Sequence, residues 1–92
     1  MKDLVRYHMV FTGRVQGVGF RYKANYIADQ YRLTGYAKNE YDGSVTVEIQ
    51  GTEQEIYMFL KALANDRYID IYGLQKEKIP VDNDERSFIV QY

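Results

Sequence analysis

Tyr7-His8-Met9-Val10-Phe11-Thr12-Gly13-Arg14-Val15-Gln16-Gly17-Val18-Gly19-Phe20-Arg21 carries two backbone periods in succession. Over residues 5–12 the side chains alternate: Tyr7, Met9 and Phe11 point one way, and His8, Val10 and Thr12 the other. That is the period of a strand. From Phe20 onwards the period changes. Phe20, Ala24, Ile27 and Tyr31 recur at i, i+4, i+7 and i+11, one apolar stripe along a helix. Between the two, glycines at 13, 17 and 19 mark a loop. The segment reads as strand, tight loop and helix, the first half of a crossover unit.

Working outwards, the helix is expected to stop near Leu33, before Gly35, and residues 34–39 to form a second strand. Asp42-Gly43 is a hairpin turn signal. Beyond it Val45, Val47 and Ile49 alternate with Ser44, Thr46 and Glu48, a third strand. Thr52-Glu53-Gln54-Glu55 reads as a capping box, in which threonine and glutamate satisfy the free N–H groups of a helix start. Ile56, Phe59, Leu60 and Leu63 form that helix's inward stripe, and Asn65 suits its end. Residues 68–79 read as extended. Past Pro80, the run Asp82-Asn83-Asp84-Glu85-Arg86 reads as a solvated turn. Phe88, Val90 and Tyr92 then alternate with Ile89 and Gln91 in a last strand. The order predicts an α+β, ferredoxin-like βαββαβ sandwich. Two helices lie on one face of a mainly antiparallel four- to five-stranded sheet.

Ninety-two residues, 46 % of them hydrophobic, suit one domain over 1–92 with a single core. There is no cysteine, which excludes disulfides, thiolate metal sites and cysteine nucleophiles and tilts the reading towards the cytoplasm. A net charge of −1 gives no basic footprint for nucleic acid. No apolar run approaches a membrane span, and Met1-Lys2-Asp3-Leu4-Val5-Arg6 lacks the apolar core of a leader peptide. The expectation is a soluble cytoplasmic protein, monomeric by default. Its one histidine, His8, has no clustered ligands, so no metal and no cofactor are expected. His8 reads as a solvent-facing strand residue, Arg14 as exposed or ion-paired, and Glu40 and Asp42 as hairpin surface. No function attaches to the ten tyrosines.

Two stretches could carry chemistry. In Gly13–Arg21 the successive N–H groups of Val15, Gln16, Gly17, Val18, Gly19, Phe20 and Arg21 can converge on an anion. The helix N-terminus and the Arg21 guanidinium add positive charge. The glycine spacing fits neither the nucleotide-binding loop nor the dinucleotide fingerprint. Spacing alone favours a tight turn with an incidental arginine. The second stretch, Gly35 to Val45, is on its face a plain hairpin with Asn39 beside the turn. Topology joins them, since a β-α-β crossover makes its strands parallel and brings the Gly13–Arg21 loop and Asn39 to one sheet edge.

Gly13 through Arg21 resembles the acylphosphatase loop signature, Gly-x-Val-Gln-Gly-Val-x-Phe-Arg, at every fixed place. Gly35-Tyr36-Ala37-Lys38-Asn39, with Gly43, Val45 and Gly51 at their intervals, resembles that family's second signature. Tyr36 stands where tryptophan is commoner, and residues 66–86 match poorly. The resemblance implies an acylphosphatase that cleaves an acyl phosphate to a carboxylate and inorganic phosphate without a metal. Arg21 and the 15–21 backbone would hold the phosphoryl group, and Asn39 would orient the attacking water. The fold alone also admits a non-catalytic phosphate-binding module or a stand-alone relative of domains in carbamoyl-phosphate-using enzymes. An RNA-recognition domain lacks its aromatic run here.

Overall fold

Residues 3–92 are described by a computed structural model; Met1 and Lys2, the start of the stretch read as lacking a leader's apolar core, lie outside the described residues. The chain runs β1 (Val5–Arg14), α1 (Phe20–Tyr31), β2 (Thr34–Asn39), β3 (Val45–Gly51), α2 (Glu53–Ala64), β4 (Asp70–Ile79) and β5 (Phe88–Gln91). The five strands form one sheet in the order β4-β1-β3-β2-β5. The sheet is mixed, because β2 and β5 pair in parallel while the other three pairings are antiparallel. β3 lies between β1 and β2 and runs antiparallel to both, so the two strands of the crossover are parallel.

The strand alternation predicted for β1 is present. Tyr7, Met9 and Phe11 are buried, His8 and Val10 half-buried and Thr12 exposed. Their buried face meets Val45, Val47 and Ile49 of β3 and the inward stripes of both helices: Phe20, Ala24 and Ile27 of α1, and Ile56, Phe59 and Leu63 of α2. Leu60, assigned to that stripe from sequence, is only partly buried at its rim. The Phe11 and Phe20 rings meet at 5.0 Å between centroids, tilted 59°. One ring precedes the glycine loop and the other follows it, so this contact fixes both ends of the loop to the core.

The capping box is formed as predicted. The Thr52 hydroxyl accepts from the Glu55 backbone N–H at 3.2 Å, and Glu55 Oε1 accepts from the Thr52 N–H at 3.1 Å. α1 ends earlier than Leu33, at Tyr31, with Arg32 in the left-handed region at φ 57°.

The open sheet face departs from the sequence reading. Arg6 is buried, at 5 % exposure. Its guanidinium donates to Glu85 Oε1 at 2.6 Å and Oε2 at 3.1 Å, to Glu48 Oε1 at 3.1 Å and to Gln50 Oε1 at 3.2 Å. Gln50 in turn donates to the Asp82 carbonyl at 3.0 Å and accepts its N–H at 2.8 Å. The run 82–86 is therefore not simply a solvated turn. It folds back so that Glu85 joins Glu48 of β3 in answering a cation buried on the sheet. His8 is likewise not merely solvent-facing, since its Nδ1 sits 2.8 Å from Glu48 Oε2.

Burial alone would raise the Glu48 carboxyl, but hydrogen bonds from His8 and Arg6 outweigh it and hold it below its ordinary value of 4.5. A carboxylate depressed in the folded state contributes stability above its unfolded value, and the contribution fades as pH falls through the folded value. Thermal midpoints measured downwards from pH 4.5 should therefore drop more steeply for the wild type than for Glu48→Gln; parallel curves would refute this assignment.

Candidate active site

Val45 is the register partner of both Phe11 and Asn39. Asn39 thus lies two strand spacings from Phe11, about 10 Å. Beyond Phe11 β1 parts from β3 and runs on to Arg14, and the loop that follows is drawn across this gap by a side chain. Gln16 Nε2 donates to the carbonyls of Glu40, at 2.7 Å, and Ser44, at 2.8 Å, on the β2–β3 hairpin. The hairpin is itself stiffened by Asp42, whose Oδ1 accepts from the Ser44 N–H at 2.9 Å and hydroxyl at 2.6 Å. Those bonds, the hydroxyl's first, hold the Asp42 carboxyl below its usual range.

Within the loop Gly17 has φ 73° and Gly19 φ 80°, a region that costs a residue with a side chain but not glycine. Gly19 is the N-cap of α1 and offers no side chain to close the helix end. From Gln16 to Arg21 no backbone N–H donates to a backbone carbonyl among the described residues. The first turn of α1 has no acidic residue. The loop therefore presents N–H groups without backbone partners and the positive end of a helix whose first turn carries no carboxylate.

These groups enclose a cavity of about 170 Å3 lined by Val15, Gly17, Gly19, Phe20, Arg21, Tyr22 and Asn39. Treated as a sphere it is roughly 7 Å across, room for a phosphoryl group and a water, whose share of liquid volume is about 30 Å3. Arg21 stands in the first turn of α1. Its Nη1 donates to the Gln91 carbonyl at 2.9 Å, and its guanidinium carbon lies 5.0 Å from the centroid of the Tyr92 ring. The Tyr22 and Tyr92 hydroxyls are hydrogen-bonded to each other. A guanidinium has five N–H donors, so this anchorage leaves most of the fork for a ligand.

Of the residues singled out from sequence, Val15, Gly17, Gly19, Phe20, Arg21 and Asn39 meet at this cavity, whereas Gln16 and Val18 do not line it. The Gln16 side chain is committed to the hairpin, and Val18 packs partly buried against the core. Arg14 is exposed at the end of β1, and His8 lies on the open face. Sequence reasoning missed the anchorage of Arg21 by β5. The Gln91 contact is a backbone carbonyl, and a carbonyl has no residue signature.

An α+β sandwich with an unsatisfied glycine-rich loop, an arginine and a carboxamide on one cavity defines an anion-handling protein. Comparison with known proteins narrows the class. The family model described as Acylphosphatase matches residues 7–90. The acylphosphatase of Clostridium acetobutylicum is 40 % identical over 88 residues, covering 95 % of this chain and 97 % of that one. That of Geobacillus kaustophilus is 39 % identical over 88 residues, covering 95 % and 94 %. The crystal structure of acylphosphatase from Bacillus subtilis superposes with a TM-score of 0.87 at 30 % identity, covering 96 % of this chain and 99 % of that one. The chain belongs to the acylphosphatase family, and it is an enzyme that hydrolyses acyl phosphates. No helix among the described residues is long and apolar enough to cross a membrane.

Proposed function

We propose that hydrolysis takes place in the Gly17–Asn39 cavity by in-line attack of a water on the phosphoryl group of an acyl phosphate. The phosphoryl oxygens take the free N–H groups of the 15–21 loop and the Arg21 fork. Asn39, at the hairpin side, holds the water through its side-chain amide. The water oxygen bonds to phosphorus as the bond from phosphorus to the carboxyl oxygen breaks. The electron pair leaves with the carboxylate, and a proton of the water passes to a phosphate oxygen. The products are a carboxylate and inorganic phosphate.

The observation that carries this reading is the single cavity shared by Arg21, Asn39 and the open loop. The chemistry asks for little more. A carboxylate leaving group has a conjugate-acid pKa of about 4 and needs no general acid. A loose phosphoryl-transfer transition state is served by positioning and by fixed donors for the equatorial charge. A neutral amide at residue 39 avoids placing a carboxylate against an anionic substrate. Arg21 and the helix end supply the positive charge that other phosphoryl-transfer sites take from a metal. Acetyl phosphate turnover should therefore be unchanged by a chelator. Loss of activity on chelation would overturn the metal-free mechanism, and a rate equal to that in buffer would overturn the catalytic site.

A further inference from the structure

We propose a second, non-catalytic site for a small oxyanion at the opposite end of the sheet, held between Arg32, Arg86 and the Thr34 hydroxyl. A cavity of about 230 Å3 lies there, lined by these three residues and by Asn83 among others. It sits at the start of β2, whereas Asn39 ends that strand. The two sites are thus a strand's length apart, about 17 Å, and this proposal does not depend on the hydrolytic mechanism.

Three features point to an acceptor-only ligand. First, the Thr34 hydroxyl oxygen is buried and has no hydrogen-bond partner among the described residues. Buried polar groups are rarely left so. Second, neither the Arg32 nor the Arg86 guanidinium makes an ion pair within the described residues. Third, the other polar groups of the lining are already engaged. Glu85 accepts from Arg6 with both oxygens, Glu55 Oε1 accepts from the Thr52 N–H and hydroxyl, and the Gln50 amide is shared between Arg6 and Asp82. What remains is two guanidinium forks, a hydroxyl and the Asn83 amide, all able to donate. Such a set matches a phosphate or carboxylate group.

Arg32 adds an independent sign. Among the described residues it is the one non-glycine residue with positive φ. Helices commonly end with glycine or asparagine in this conformation, because a side chain is strained there. An arginine at this point forgoes backbone comfort and places a cation at the cavity.

Amide NMR titration of the full chain tests the proposal, with inorganic phosphate in one arm and acetate in the other. Saturable shifts are expected at Arg32, Thr34, Gly51, Asn83 and Arg86 in at least one arm, with a dissociation constant of about 1 mM. Saturation by phosphate identifies a phosphoryl ligand, and saturation by acetate alone a carboxylate. Arg32→Gly removes one guanidinium and relieves the backbone, so it should erase these shifts while the thermal midpoint holds or rises. Arg86→Gln should erase them too, and both variants should keep wild-type turnover. No saturable shift in either arm, or shifts that survive both substitutions, overturns the site. The Gly17–Arg21 amides are an internal control. Their failure to respond to phosphate counts against the catalytic reading alone.

Discussion

Replacing Arg21 with glutamine is expected to lower acetyl phosphate turnover by about 10²-fold or more, the usual scale for removing a preorganised donor at developing charge. Glutamine keeps a polar side chain near the Gln91 carbonyl but loses the charged fork that faces the cavity. On the proposed mechanism that fork holds the phosphoryl group in substrate and transition state alike, so KM should rise as kcat falls. Asn39→Ala should lower kcat by a similar factor and leave KM nearly unchanged, because in that mechanism the amide addresses the water rather than the substrate. Both residues are half-buried at the rim of the fold, outside its core. Circular dichroism and thermal midpoint should therefore stay close to wild type, within about 0.5 kcal/mol. Near-normal turnover in either variant would remove that residue from the mechanism. Unfolding of either would show a structural role instead.

The largest loss of stability without loss of the catalytic groups should come from Arg6→Leu. The arginine is 5 % exposed and stands between Glu48 and Glu85. Leucine would leave two half-buried carboxylates facing each other without their common cation. Breaking a buried pair by removing one partner costs about 3–5 kcal/mol. The side chains of Glu48 and Glu85 retain 20 % and 16 % exposure, which places the expected cost at the lower end. For a domain of this size about 3 kcal/mol lowers the thermal midpoint by roughly 12–24 °C. Adding Glu85→Leu should recover part of the loss, since the second carboxylate is removed as well. Arg6 pairs with Gln50 at the far end of the sheet from the loop, so turnover per folded molecule should persist at low temperature. A midpoint shift under about 3 °C would mean that water, not Arg6, answers the two carboxylates.

The sequence made the elements legible wherever one period held over a whole segment. The alternation through Phe11, the α1 stripe, the Asp42-Gly43 turn and the Thr52–Glu55 box each describe a local rule, and each is formed. The shared cavity was foreseeable because topology alone brings the ends of β1 and β2 together. What escaped were interactions between distant segments that follow no local rule. Arg6 and Glu85 are 79 residues apart. Nothing in a strand beginning Val5-Arg6 says that its arginine will be covered. Gln16 was read as one of seven backbone donors, and its amide side chain turned out to stitch loop to hairpin. The left-handed Arg32 was hidden because a helix that runs on to Leu33 fits the apolar pattern equally well.

The carbonyl that anchors Arg21 belongs to β5, a four-residue strand whose pairing partner is β2. Arg21 and Gln91 are 70 residues apart. Loop closure over such a span is slow compared with forming a helix or hairpin. During refolding, secondary structure and most of the apolar collapse can precede the docking of that short edge segment. The guanidinium swings freely until then. Recovery of hydrolysis would then mark one late zippering event, and a dead time between optical signals and turnover would measure it.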